Sequence, residues 1–498
     1  MRDLYLAIDV GTGSLRAALV DRSGRILAFA NREHDQIVPQ HGWSEQRPAD
    51  WWTGTVESIR EVLGKVENAP DRVAAICACG QMHGSVLIDD DGTLTRDAAL
   101  LWNDKRTVPQ VEAFSARVSA DQPLAHTANM PAPAWPAFKL AWLMENDPQS
   151  VAQASSLLMP KDWINYKLTG ERAQDVTEAS LSFLMDWKTR SWSYEMIKLT
   201  GIPGELLPLL RNPQDVLAGL SDEAANLLGL SAGIPVLVGA GDYPLALLGS
   251  GVTEPGTGSD VTGTSTIITL MHDTPVLDPN VSNVIGAGGT WGSFTLLDAG
   301  GDAVRWARRA FHDNRRSYAE VAEAATQAKA GSKGLFFLPY LSGERFGDHA
   351  NSRAQFFGLT SSHGLPAMHR AVLEGVAFSV RHRLDALQGE HGRPERIVAS
   401  SGGAKSRLWL EIKSSMYNVP YAVPEELECG VVGAAILASV AAGDTADVTE
   451  ATRAMVRFVE DVHPDPQTVA LYDEMMPIYA DLYTAAQPFY ARLGGLSL

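Results

Sequence analysis

The sequence predicts an α/β protein of two domains, and three observations carry that reading. Its 498 residues exceed what one hydrophobic core ordinarily supports. Short β-branched apolar runs end in glycine-rich turns and helix starts, as where Ile234-Pro-Val-Leu-Val238 leads through Gly239-Ala-Gly-Asp242 into Leu245-Ala-Leu-Leu. A glycine-rich strand-turn-strand at the N-terminus is echoed by a second one near residue 260, which hints at duplication.

Bulk composition narrows the function classes. The chain is 45% hydrophobic and 20% charged, so a core forms without staples, and a formal net charge of −18 with no Lys/Arg cluster argues against a nucleic-acid or anionic-membrane partner. Of the three cysteines, Cys77 and Cys79 lie two apart on an expected strand and Cys429 is remote, which fits neither a disulfide framework nor zinc spacing. A reducing cytoplasm is the expected setting. The N-terminus lacks the apolar core of a signal peptide, and the longest apolar stretch, Val431 to Ala442, is too short to cross a bilayer.

From the N-terminus, Leu4 to Val10 reads as a buried strand, Gly11-Thr-Gly-Ser14 as a tight turn and Leu15 to Val20 as a returning strand, with Arg22-Ser-Gly24 turning into a third. Gly11, Thr12, Gly13 and Ser14 offer backbone N–H groups and two hydroxyls to phosphate oxygens, and Asp9 can hold hydrated Mg²⁺ through water. An ordinary hairpin turn reads equally well. Gly402-Gly-Ala-Lys-Ser406 is no P-loop, because Ala404 replaces the required glycine; Arg16 and Val261 likewise spoil the two dinucleotide-like Gly-Thr-Gly starts.

Val73 to Cys79 and Ser85 to Asp89 read as strands joined by Gly80-Gln-Met-His-Gly84. Gln81 and His83 can bond a polyol hydroxyl while Met82 packs on carbon, although His83 also suits a plain turn. Leu100-Leu-Trp-Asn-Asp-Lys-Arg106 puts Trp102 beside Asp104 at a strand end, a combination that sugar faces and hydroxyls select; alternatively Asp104 and Arg106 form a surface ion pair. Asp242, at the carboxyl end of a buried strand between glycines, stands where α/β folds place catalytic groups and reads as a general base, or else as a helix cap.

The second half repeats the theme. In Thr257-Gly-Ser-Asp-Val-Thr-Gly-Thr-Ser-Thr266, Gly263, Thr264 and Ser265 offer phosphate donors or belong to a Thr-rich strand. After the strand Ile397 to Ser400, Gly402 and Gly403 expose backbone to adenine or ribose, while Gly430-Val-Val-Gly-Ala-Ala435 reads as a close-packed structural helix start.

Taken in order, Asp9-Val-Gly-Thr-Gly, Trp43-Ser-Glu-Gln, Gly80-Gln-Met-His-Gly, Leu101-Trp-Asn-Asp-x-Arg106, Leu158-Met-Pro-Lys-Asp162, Gly241-Asp242, Leu338 to Arg345 and Phe357-Gly-Leu resemble the FGGY carbohydrate kinases, with the Gln-Met-His loop most similar to the xylulokinase branch. The resemblance runs from residue 4 to about 440, ahead of a helical tail. It implies two ribonuclease-H-like domains of the actin/hexokinase ATPase class, expected at 1–249 and 250–498, with ATP and sugar in the cleft between them. It also implies Met82 and His83 on the sugar, Asp242 as catalytic base, and Asp9 with Thr12 at the metal and phosphate end. ATP, Mg²⁺ and a small sugar are the expected ligands, D-xylulose the favoured acceptor, and a homodimer is open to it. Glycerol is disfavoured, because glycerol kinases carry an Arg-Glu pair in place of Met82 and His83. Tyr243 and Pro244 depart from the Asn or Gln that often follows the catalytic Asp, which leaves another ketose, a polyol or a sugar-like signal molecule in play. The rival from another class is a non-catalytic protein of the same ATPase fold.

Overall fold

The computed structural model describes residues 2–344, 351–389 and 392–494 and divides into two compact units. The first comprises Met1–Thr253, Ser282–Gly292 and Glu428–Arg457; the second comprises Glu254–Val281, Ser293–Leu427 and Phe458–Leu498. Compactness thus groups residues 282–292 and 428–457 with the N-terminal part, which differs from a single cut at 249/250. Arg345, the last residue of one motif quoted above, lies outside the described residues.

The first unit is built on Leu4–Val10, whose seven residues are all buried: apart from Asp9 they are the apolar run that a strand covered on both faces requires. It pairs antiparallel with Ser14–Asp21, which pairs antiparallel with Ile26–Glu33. On its other side it runs parallel to Val73–Gly80, itself parallel to Pro235–Leu237, and Val216–Gly219 closes that edge antiparallel. Trp51, Ile59, Val62 and Leu63 of the helix Pro48–Lys65 are buried in the core on one face. The helix Cys429–Ala441, distant in sequence, packs with the opposite face. Its small residues permit backbone-to-backbone approach, since a Cβ on Gly433 would fall 2.1 Å from the Leu245 carbonyl oxygen.

The second unit repeats this order. Thr257–Thr262 pairs antiparallel with Thr266–His272 and parallel with Arg396–Ser400, which is parallel to Tyr421–Pro424; Phe458–Val462 lies antiparallel at the edge. A hairpin followed by two parallel strands added beside its first strand is the ribonuclease-H-like arrangement, so the two hairpins in the sequence mark a repeated topology. The tail corrects one expectation: it is helical at Val448–Met455 and Pro466–Gly494, but between them Phe-Val-Glu-Asp-Val forms a half-buried edge strand. Among the described residues no helix is long and apolar enough to cross a membrane.

Candidate active site

Strand register assembles the centre of the first unit. Asp9 pairs with Cys79, and Ala240 and Gly241 pair in parallel with Cys79 and Gly80, so Asp9 and Asp242 come to the same carboxyl edge of the sheet. Asp242 is the first residue of the helix Asp242–Gly249; the cap position belongs to Gly241, which has no side chain to offer. Asp242 Oδ1 accepts from the Tyr243 N–H at 2.7 Å. Burial pushes the Asp242 carboxyl up to about 7, and the negative charge of Asp9 adds to the rise.

Asp9 is buried and its own carboxyl is raised by desolvation, against which Arg16 works. Arg16 Nη1 lies 3.0 Å from Asp9 Oδ2 and 3.6 Å from Glu428 Oε2, while Asp9 Oδ1 has no partner. A lone buried carboxylate oxygen suits a divalent cation held through its water shell, because Mg²⁺ keeps most of its waters and takes one or two carboxylates plus phosphate oxygens. No group of three His, Cys, Asp or Glu among the described residues forms a self-sufficient metal cage.

The Gly11–Ser14 turn is held by its carbonyls. His34 Nε2 is 2.9 Å from Gly11 O, Gln46 Nε2 donates to Thr12 O at 2.7 Å, and the His34 N–H donates to Gly13 O at 3.2 Å. In a trans peptide the N–H opposes the C=O, so carbonyls drawn inward present the N–H edge outward. The Thr12 hydroxyl accepts from Trp102 Nε1 at 2.9 Å and donates to Gln81 Oε1 at 3.2 Å.

The Gln81–His83 loop reaches the same edge. Met82 lies against Gly241, where an added Cβ would stand 2.7 Å from Met82 Cγ. His83 has a left-handed backbone (φ 68°), its ring meets Trp135 edge-on at 5.1 Å, and its Nδ1 is buried without a partner. Burial, with Lys139 beside it, keeps the imidazole neutral. Lys139 Nζ donates to the His83 carbonyl at 2.6 Å, and its own pKa is pushed down to about 7, mainly by burial.

Two residues expected at the sugar also bond the protein. Gln81 Nε2 donates to Gln46 Oε1 at 2.8 Å and its Oε1 accepts from Thr12, so both ends of this buried amide bond the protein, with one N–H and one lone pair left over. Asp104 is buried with both oxygens engaged by Arg106 and by the Ser44 N–H at 2.7 Å. The pair is therefore buried and not superficial; Arg106 also stacks over Trp43 at 3.7 Å and reaches Glu45 at 2.8 Å. Trp102 keeps 39% of its surface exposed.

Sequence reading missed Arg16, noting it only as a missing glycine, and missed the buried group around Lys161. Lys161 Nζ contacts Asp162, lies 2.9 Å from Asp175 Oδ2 and donates to Val238 O at 3.2 Å, fixing the strand end that leads to Asp242. The signal lay in the quoted Leu158–Asp162 motif, where two charges follow an apolar run.

In the second unit the other predicted residues also meet. Val261 pairs with Ser400, so the Gly263–Ser265 tip and the Gly402–Lys405 turn leave neighbouring strand ends, and a Cβ on Gly403 would lie 2.6 Å from Thr262 Cβ. The helix Gly300–His312 begins on the same tip, with Gly301 N donating to Gly263 O and Asp302 N to Thr264 O, both at 2.9 Å. Its positive N-terminal end therefore stands beside the Thr and Ser hydroxyls, a setting that favours anions. Gly300 and Gly301, which allow that approach, carried no motif.

Comparison with known proteins agrees with this layout. Residues 4–249 match the N-terminal domain, and residues 259–442 the C-terminal domain, of the FGGY family of carbohydrate kinases. The chain is 29% identical to a xylulose kinase of Escherichia coli strain K12 over 98% of this chain and 100% of the relative, and 28% identical to an E. coli autoinducer-2 kinase over 96% and 94%. The solved structure of a ligand-bound xylulose kinase from Lactobacillus acidophilus superposes with TM-score 0.92 at 27% identity, covering 98% and 99% of the two chains. A gluconate kinase from the same organism also gives 0.92, at 28% identity over 98% and 100%. With both family domains matched, the repeated ribonuclease-H-like topology is that of an actin/hexokinase-like sugar phosphotransferase, and the chain belongs to the FGGY family of carbohydrate kinases.

Proposed function

We propose that this kinase transfers the γ-phosphoryl group of ATP to a ketopentose, D-xylulose, giving D-xylulose 5-phosphate. The observation that carries the proposal is Asp242: a carboxyl that follows Gly241, against which Met82 lies, and that feels the charge of Asp9, raised to about 7, is tuned to accept a proton near neutral pH. Asp242 takes the proton of the attacking hydroxyl. Met82 and neutral His83 hold the sugar, with Trp102 offering a face to its carbons. In the first unit the Gly11–Ser14 edge and Arg16 offer donors to phosphates, and in the second the Gly263–Ser265 and Gly402–Gly403 cluster offers a nucleotide its hydroxyls and backbone. Asp9 would hold Mg²⁺ through water; the ion supplies charge neutralisation to the phosphates when bound. Positioning and electrostatics supply most of the acceleration in such transfers, which suits a site of backbone donors and one base.

Xylulose kinases among the relatives support the choice of sugar. A second reading, a different ketose, polyol or sugar-like signal molecule, is favoured by Tyr243-Pro244 after the base and by relatives named for gluconate and autoinducer-2. ADP release measured across ketopentoses, ketohexoses, polyols, gluconate and autoinducer-2 discriminates them. D-xylulose is expected to give the highest kcat/KM, and a higher value for another acceptor would overturn the substrate assignment.

His83→Ala is expected to raise the sugar KM up to about tenfold while the ATP KM changes little, since a lost hydrogen bond to a hydroxyl costs about 0.5–1.5 kcal/mol. An unchanged sugar KM beside a weakened ATP KM would show the two ends of the site reversed.

A further inference from the structure

The residue Gln46 lies in neither loop assigned above, yet its side chain joins them. It sits on the short strand Glu45–Gln46, 2% exposed, and that strand pairs with Ala99–Leu100, which leads to Trp102. Its Nε2 donates to Thr12 O at 2.7 Å, and its Oε1 accepts from Gln81 Nε2 at 2.8 Å and from Trp51 Nε1 at 3.1 Å. The Thr12 hydroxyl closes the circuit by donating to Gln81 Oε1 at 3.2 Å, while Trp102 Nε1 donates to that same hydroxyl at 2.9 Å. Indole nitrogen only donates, so Trp51 fixes which end of the Gln46 amide is oxygen, and the sense of the whole ring follows.

A closed ring of this kind constrains motion. Gln81 adjoins Met82 and His83 in the chain, and Thr12 is the centre of the glycine turn. Any shift of the Gln81–His83 loop on taking a ligand must either break a buried hydrogen bond or move the Thr12 peptide with it. Leaving buried amide groups unpaired is unfavourable, so the second outcome is preferred.

We propose that Gln46 is a positioning residue that couples the sugar loop to the phosphate turn, so that sugar occupancy raises affinity for the nucleotide. Through the ring, the sugar loop and the turn that presents N–H groups to phosphate settle together, and by linkage the nucleotide strengthens sugar binding by the same factor. The inference rests on the assignment of those two loops under the proposed function.

The test is calorimetric titration of the full chain with a non-hydrolysable ATP analogue and Mg²⁺, without and with saturating D-xylulose or whichever acceptor has the highest kcat/KM in the panel. In the unmodified protein the sugar is expected to tighten the analogue Kd about fivefold or more, the lower end of ordinary coupling. Gln46→Glu keeps the acceptors for Trp51 and Gln81 but faces Thr12 O with an oxygen in place of an N–H. Gln46→Leu removes these bonds, and the weaker one from Nε2 to Asp35 O at 3.4 Å, at similar volume. Both are expected to bring the coupling within about twofold of unity, with the sugar Kd measured alone changed less than about threefold. Thermal melts establish that each variant is folded, and if Gln46→Leu fails to fold, Gln46→Glu alone decides. Coupling that persists in a folded Gln46→Glu overturns the proposal, as does an unmodified enzyme that turns over sugar but shows no coupling. An unmodified enzyme that phosphorylates no acceptor overturns the proposed function itself.

Discussion

Replacing Asp242 by Asn is expected to leave sugar and nucleotide bound while kcat falls by about 10²–10⁴-fold, the ordinary contribution of a general base. The amide has nearly the same size and still bonds a hydroxyl, so ground-state binding survives and only proton acceptance in the transition state is lost. Because the free carboxyl is raised to about 7, the unmodified enzyme should lose kcat/KM with unit slope as pH falls below about 7, and the Asn variant should lack that limb. Stability moves the opposite way. A carboxyl raised above its unfolded value holds a proton in the folded state that the unfolded chain releases, so folding weakens as pH rises from about 4 through 7. Asp242→Asn removes that penalty, and its Tm at pH 8 should exceed that of the unmodified protein. A near-normal kcat in the Asn variant would remove Asp242 from the reaction. A capping role alone, through the Tyr243 N–H, would give that near-normal kcat, since Asn and Asp are comparable caps.

Much of this arrangement was legible in the sequence, for reasons that differ by element. The central strands Leu4–Val10 and Val73–Gly80 are covered on both faces, so they had to be written as apolar runs, broken in the first only by the functional Asp9. Both hairpins advertised themselves through glycine and hydroxyl residues. Phe458–Val462 did not, because an edge strand needs only half its residues buried, and five residues beside long helical segments leave little periodicity to detect. At the site, residue type indicated which side chains are polar but not which are spent. Gln81 and Asp104 look like ligands in a motif, and only the fold shows that Gln46 and Thr12 bond the amide of the first, and Arg106 with Ser44 the carboxylate of the second. Arg16 was hidden by the same limit: alternation along Ser14–Asp21 points it at Asp9, but pairing between strands has to be known before the ion pair can be seen. The return of residues 428–457 to the first unit had no local signal, since small-residue helices pack closely wherever they land.

Asp9 is the second site at which one substitution should dominate the kinetics. Asp9→Asn keeps the shape of a buried residue packed beside Cys79 and leaves Arg16 with Glu428 as its remaining carboxylate within 4 Å. Two effects then compete. The negative charge that helps raise Asp242 disappears, so the acid limb of the kcat/KM profile should move to lower pH, which by itself would favour the base. The unpartnered carboxylate oxygen suited to a hydrated Mg²⁺ also disappears, and losses of outer-sphere ligands typically cost about 10–100-fold in metal affinity or activity. A lower pKa for the base raises the rate only below the limb and not above it, so the second effect decides at pH 8. The expected outcome is a rise in the half-saturating Mg²⁺ concentration and a kcat reduced about 10–100-fold at fixed Mg²⁺, with the sugar Kd unchanged. Titration of activity against Mg²⁺ at pH 8 decides it: full turnover with an unshifted Mg²⁺ requirement would mean that Asp9 acts on Asp242 alone and takes no part in holding the cation.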